Sequence, residues 1–393
     1  MDLFKKCYEF KDAQIARAQG YYPYFIPFSG GDDTMMVYQG ERKIMIGSNN
    51  YLGLTHHPKV LEAAQAALKT YGTGRTGSRF LNGTLDIHED FERELAEFIG
   101  KPAALVFSNG YLVNQGTIAT LAGKKDFILS DKLNHASIVD GCKFSGAHVL
   151  RYAHNDMEDL ARVISSVPAN AATLLVIDGV FSMEGDIARL PQILQQTQPR
   201  GIRIMIDDAH ALGVLGPHGE GTAAHFGFSQ QVDLTMGTFS KSFGAVGGFI
   251  AGEFEVVDYI KHFARSMIFT ASLPPSVVAS TRAALQIIKG EPERRQRLIQ
   301  IGNYMRTEFK RLGFDTSTSE TPIIPIIIGD NMKTFTFWKM LFEAGVYTNA
   351  VISPAVPSNS SRLRTSYIAT HTDDQLNFVL EQFSQIGKTL SII

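Results

Sequence analysis

Four short stretches of this sequence combine groups able to do chemistry with residues small enough to let a ligand approach. In "GTFSKSFGAVGG" (237–248), Lys241 stands between Ser240 and Ser242, behind Thr238 and ahead of Gly244, Gly247 and Gly248. A loop lysine is usually a solvated surface charge. Held out of bulk water its amine is neutral and becomes a Schiff-base nucleophile, and small neighbours leave room for a flat partner. In "IDDAH" (206–210), Asp207 ends an apolar run and His210 follows three residues later. A carboxylate there either caps the next helix or keeps a pyridine nitrogen protonated and electron-withdrawing. In "FSNGYLVNQG" (107–116), an apolar run meets Gly110 and then a helical pattern. Helix-start amides at such a junction hold phosphate, although the junction alone is more often structural. In "DKLNHAS" (131–137), His135 suits a core or capping role first, and lying flat against an aromatic ring second.

Taken together, the four stretches ask for one ligand. It needs an aldehyde to meet Lys241, a ring nitrogen for Asp207, a phosphate for Gly110 and a flat face for His135, and pyridoxal 5'-phosphate has all of these.

The elements that must position these groups are legible around them. From about residue 103, short apolar runs alternate with helical stretches: "AALVFSNG", "DFILSD", "HVLRYAH", "TLLVIDGVFS", "IRIMIDDAH" and "LTMGTFSKS". Strands that are apolar on both faces and separated by helices such as "NDMEDLARVISSV" predict a mostly parallel sheet covered on both sides. In such sheets functional residues gather beyond the carboxyl ends of the strands, where all four stretches fall. Upstream, "THHPKVLEAAQAALKTYG" (55–72) predicts a helix with proline near its start and glycine at its end. Downstream, "EPERRQRLIQIGNYMRTEFKRLG" predicts a long helix. Strand-like "IIPIIIG", "GVYTNAVI" and "RLRTSYIA", and a last helix from Asp373, complete an α+β lobe.

At 393 residues the chain exceeds the roughly 250 to 300 at which single cores stop growing, so two lobes are expected. Lys and Arg total 37 against 39 Asp and Glu, a formal net charge of −2 with no long run of either sign, which gives nucleic acid no electrostatic footprint. Cys7 and Cys142 make neither a metal-ligand spacing nor a disulfide framework. With an N-terminus that lacks a signal-type apolar core, and no run near 18 apolar residues, they fit a reducing cytoplasm. The aromatic-rich "YYPYFIPF" (21–28) is expected to pack on the core as a strand or arm, with peripheral membrane contact as the alternative.

Read from end to end, the chain resembles the α-oxoamine synthase family of fold-type I pyridoxal-phosphate enzymes. The matching motifs are "SNNYLGL", "GTGRTGSRFLNGT", "DIHEDFERELAEF", "NHASIVDG", "DGVFSMEGD", "IDDAH", "GTFSKSFGAVGG", "FTASLPP" and "RLRTS". The resemblance implies an α/β fold: an N-terminal arm (1–48), a large cofactor-binding domain with a mostly parallel seven-stranded sheet (49–285), and a small C-terminal α+β domain (286–393). It implies that Lys241 carries the cofactor aldehyde, Asp207 faces the pyridine nitrogen, and His210 and Ser182 face the ring hydroxyl. His135 would stack on the ring, the backbone of Gly110 and Tyr111 would bind phosphate with Thr238, and Arg364 would hold the amino-acid carboxylate. A homodimer with the site at its interface is implied as well, with Asn49, Thr270 and Ser272 serving the neighbouring subunit.

The implied reaction condenses an amino acid with an acyl thioester and releases carbon dioxide. "RYAHNDMEDL", "IFTASLPPSVVAS" and "ATHT" are similar to the branch that joins L-serine to a long-chain acyl-CoA. The aspartate at 208 instead resembles the branch using alanine and a pimeloyl thioester, which stays open, as do cysteate and glycine. Aminotransferase or aldolase chemistry, and a non-catalytic partner role, are the remaining alternatives.

Overall fold

The structure, a computed structural model, describes residues 1–393. It divides into two compact units, one of Asn49–Ser182 with Asp186–Ile299, the other of Met1–Ser48, Met183–Gly185 and Gln300–Ile393.

The larger unit is built on the six apolar runs and a seventh strand. They form β1 (Ala103–Phe107), β2 (Phe127–Asp131), β3 (His148–Tyr152), β4 (Thr173–Asp178), β5 (Arg203–Asp207), β6 (Leu234–Thr238) and β7 (Gly248–Gly252). The sheet order is β1-β7-β6-β5-β4-β2-β3. Every neighbouring pair is parallel except those of β7, which runs against both β1 and β6. Alternate residues of one strand feed two cores. Leu174 and Val176 of β4 enter one, and Leu175 and Ile177 enter the other, so both faces are covered.

Three helices follow strand ends and matter for what comes next. α1 (Gly110–Leu121) starts after β1, where the Asn109 side chain accepts the Leu112 amide at 2.9 Å. α2 (Ala136–Ser145) starts after β2 with His135 at its cap, and α3 (Met157–Ser166) starts after β3 with Asp156 accepting the Glu158 and Asp159 amides. Because β2, β4, β5 and β6 are parallel, their polar last residues lie along one edge, with Asp178 directly beside Asp207.

The smaller unit packs Phe309, Phe314, Phe337 and Phe383 into an aromatic core with ring centroids 5.0 to 6.0 Å apart. Ser361–Ser366 is the buried centre of a three-stranded sheet between Ile323–Gly329 and Asn349–Val351. The run "GVYTNAVI" is not one strand but two. Val346–Tyr347 pairs with Glu41–Met45 and Asn349–Val351 pairs with Ser361–Ser366. That first pairing ties residues 1–48 to the C-terminal part of the same unit. The division between the two units falls after Ile299, inside the helix Pro292–Leu312. Residues 21–28 form no strand: prolines at 23 and 27 remove amide donors, and Phe25 is 91% exposed. No helix is long and apolar enough to cross a membrane.

Candidate active site

The strand ends surround a cavity of about 350 Å³. Gly110 and Tyr111 reach it after β1, His135 after β2, Asp178 and Ser182 after β4, Asp207 and His210 after β5, and Thr238 and Lys241 after β6. A larger cavity of about 480 Å³ lies at the opposite strand ends, between Phe127, Leu174, Arg203 and Leu234, and its lining holds no lysine or histidine. The chemistry belongs to the smaller one.

Its floor is a buried polar chain. Asp207 is 4% exposed. The Asn114 Nδ2 of α1 donates to Asp207 Oδ2 at 2.6 Å, and the Ala209 amide donates to Oδ1 at 2.9 Å. Asn114 Nδ2 also donates to Ser137 Oγ at 2.8 Å, and that hydroxyl meets His135 Nδ1 at 2.7 Å. A carboxylate only accepts, so it fixes the amide with its nitrogen toward Asp207, and the imidazole is held in turn. Burial lowers the His135 imidazole below the ordinary histidine range; Asp207's charge opposes this and Lys241's adds to it. At neutral pH this imidazole is therefore an uncharged flat surface. Beside Asp207, Asp178 accepts the His135 amide at 3.0 Å. Burial, and then Asp207's charge, push its carboxyl well above the usual range. On the other side, the Tyr51 hydroxyl meets His210 Nδ1 at 2.6 Å.

At the opposite end of the cavity the α1 N-terminus supplies amides. Those of Gly110 and Tyr111 belong to the first turn, which has no carbonyl a turn earlier to accept them. A Cβ on Gly110 would lie 2.8 Å from Thr238 Oγ1, so only glycine lets the start of α1 pack this close to that side chain. Thr238 Oγ1 itself donates to the Gly247 carbonyl at 2.9 Å. A lysine, a buried carboxylate with a neutral imidazole nearby, and a helix N-terminus thus line a cavity sized for one flat phosphorylated ring. These residues fit pyridoxal phosphate.

Four residues expected at the site from sequence do not line this cavity. Thr270 and Ser272 lie on the segment that bridges to Gly77 and Ser78, and the Ser272 amide donates to the Gly77 carbonyl at 2.9 Å. Asn49 Oδ1 is 3.4 Å from the Tyr51 hydroxyl. Arg364 is buried in the three-stranded sheet of the smaller unit, opposite Asn349 and Pro325. Tyr111 is at the cavity with its hydroxyl bonded to Asp140. The sequence reading missed Asn114, Ser137, Tyr51 and Asp178. "SNNYLGL" and "DGVFSMEGD" already contained Tyr51 and Asp178, whereas Asn114 lies within a helical run with no local signal.

The chain belongs to the aminotransferase class I and II family, whose model matches residues 41–383. Within it, the chain is 48% identical over 390 residues to a serine palmitoyltransferase of Sphingobacterium spiritivorum, covering 99% of this chain and 98% of that one. It is 43% identical over 358 residues to an 8-amino-7-oxononanoate synthase of Thermoanaerobacter pseudethanolicus, covering 91% of each. A solved structure of serine palmitoyltransferase with a pyridoxal phosphate internal aldimine superposes over the whole of both chains, with a TM-score of 0.95 at 36% identity. The fold-type I resemblance drawn from the motifs is borne out.

Proposed function

We propose that this protein is a pyridoxal-phosphate-dependent acyltransferase that joins L-serine to palmitoyl-CoA. The products would be carbon dioxide, free CoA and 3-ketodihydrosphingosine, the entry to sphingolipids. The observation that carries the chemistry is the convergence of Lys241, Asp207 and His135 on one cavity with the α1 N-terminus. The choice of serine is supported by 48% identity along nearly the whole chain to a serine palmitoyltransferase.

When bound, pyridoxal phosphate supplies an electron sink that weakens the bonds at the amino acid's Cα. The protein's residues do the rest. Lys241 Nζ would hold the aldehyde until the amino acid's own amine takes its place, and the freed lysine amine would then move the Cα proton. Asp207, fixed by Asn114 and Ala209, would hold a proton on the ring nitrogen. His135 would present its neutral face to the ring, Ser182 and His210 would orient the ring hydroxyl, and the Gly110 and Tyr111 amides with Thr238 would anchor the phosphate. Arg364, carried over from the "RLRTS" resemblance, would hold the substrate carboxylate.

A second reading, alanine with a pimeloyl thioester, is favoured by the aspartate at 208 and by the 43% identity to an 8-amino-7-oxononanoate synthase. A cytoplasmic homodimer is part of the proposal. Exposed Phe144, Tyr259, Phe263 and Phe269 line a single groove, apolar surface of the kind a second copy covers. Phe25 is where contact with a bilayer would be sought, by vesicle co-sedimentation.

The test is to load the purified protein with pyridoxal phosphate and titrate it with L-serine, L-alanine, glycine and L-cysteate, adding palmitoyl-CoA to each. A saturable absorbance change with serine, and carbon dioxide release only with the thioester, is expected. Saturation by alanine alone would move the assignment to the second reading. No change with any amino acid would overturn the cofactor assignment.

A further inference from the structure

His154 lies just past β3, is absent from the cavity lining, and yet sits between two buried carboxylates. Its Nδ1 is 3.1 Å from Asp131 Oδ1 and its Nε2 is 2.9 Å from Asp186 Oδ2. The side chains of Asp131 and Asp186 are 0% and 7% exposed. Asn155 repeats the bridge, its amide donating to Asp131 Oδ2 at 2.9 Å and its Nδ2 to Asp186 Oδ2 at 3.0 Å. Two carboxylates brought this close out of water need a cation between them. Burial works to lower the His154 imidazole, but the hydrogen bonds and charges of Asp131 and Asp186 raise it to about 10, so it is charged at neutral pH.

Each carboxylate leads to a residue at the cavity. Asp131 closes β2, and its Oδ1 also accepts the Leu133 amide at 2.8 Å, setting the turn that delivers His135. Asp186 closes the loop that carries Ser182: its carbonyl accepts the Phe181 amide at 3.1 Å, and the Ala188 amide donates to Gly179 at 2.9 Å. The His154 ring packs edge-on against Phe181, centroids 4.3 Å apart, directly before Ser182.

We propose that His154 is a positioning residue for the reaction: by clamping Asp131 to Asp186 it holds the His135 turn and the Ser182 loop at a fixed separation across the cavity. This role rests on the reading of the cavity given above. A clamp of this kind acts on rate more than on substrate affinity, because a displacement of about 1 Å in a reacting assembly costs on the order of 10²-fold in turnover.

The experiment compares wild type with His154→Gln, Ser182→Ala and the double variant, all loaded with pyridoxal phosphate. It reads kcat, the KM for palmitoyl-CoA and the visible spectrum of the bound cofactor. His154→Gln is expected to lower kcat by about ten- to a hundredfold, with the palmitoyl-CoA KM unchanged and the cofactor band shifted. In the Ser182→Ala background the loss should shrink, because the loop no longer delivers its hydroxyl. Unchanged kcat, or the same fold-loss in both backgrounds, overturns the role. If His154→Gln does not fold, Asp186→Asn, which keeps the His154–Asp131 pair, is carried through the same cycle with the same outcomes decisive. Wild type that takes up no cofactor overturns the reading of the cavity and this role with it; wild type that turns over and is matched by His154→Gln overturns the role alone.

Discussion

Replacing Asn114 by alanine isolates the contact on which the floor of the cavity depends. The amide donates to Asp207 Oδ2 at 2.6 Å in a fully buried setting, and Asp207 keeps the Ala209 amide on its other oxygen. A hydrogen bond to a charged group contributes about 1.5 to 3 kcal/mol. At about 1.4 kcal/mol per factor of ten, its loss corresponds to roughly a ten- to 150-fold change in an equilibrium that depends on Asp207's placement. The same substitution frees Ser137 Oγ from its 2.8 Å bond and so loosens the support of His135. Asn114→Ala is therefore expected to weaken pyridoxal phosphate binding within that range while the retained Ala209 contact prevents complete loss. The assay is equilibrium titration of cofactor-stripped protein, with circular dichroism to establish that the variant is folded. Undiminished affinity in a folded variant would refute the reasoning, since it would mean that Asp207 needs no support from α1.

Lys241→Ala should fold and retain cofactor without the visible band of a lysine-linked aldehyde, and should lose turnover; retained turnover would remove Lys241 from the chemistry. Gly110→Ala places a methyl 2.8 Å from Thr238 Oγ1, an overpacking of about 1 to 3 kcal/mol at the phosphate end. It should therefore lose affinity for pyridoxal phosphate more than for pyridoxal, and an equal loss for both would contradict the phosphate assignment. Asp208 is wholly buried, which pushes its carboxyl from an ordinary 3.8 up to about 7, against hydrogen bonding from Thr222 and with help from Asp207's charge. The folded state keeps a proton that the unfolded chain has already released, so Asp208 makes stability fall as pH rises between those values. Asp208→Asn should flatten that slope in urea unfolding at several pH values; an unchanged slope would count against a buried protonated carboxyl.

Much of the fold was legible because the strands alternate their apolar residues into two cores, as Leu174 to Ile177 do, and both-face burial leaves continuous apolar runs in the sequence. Lys241, Asp207, His135 and Gly110 were legible for a related reason: each follows such a run, and parallel strands bring their ends together. What joins them was not. Asn114 reaches Asp207 from the second turn of a helix, 93 residues away in the chain. His154 meets Asp131 and Asp186 across 23 and 32 residues. Such pairings depend on strand order, and β7 entering antiparallel between β1 and β6 has no counterpart in local sequence pattern. The pairing of Glu41–Met45 with Val346–Tyr347 was not legible either, because the partner is only two residues long.

The place of β7 also governs when the protein can assemble. β1 has β7 as its one neighbour in the sheet, with Phe107 opposite Gly248. As the chain leaves the ribosome, β1 and the helix behind it have no strand to join until the segment beyond Lys241 has been made. Strands β2 to β6 can pair earlier, in parallel neighbours. The end of the sheet that carries Gly110 and Tyr111 is thus the last to close, and it closes through contacts distant in sequence, which form slowly. A newly made chain would acquire its cofactor only as β7 docks, so binding marks completion of the sheet, and chains stalled short of β7 would present β1 as an unpaired edge open to aggregation.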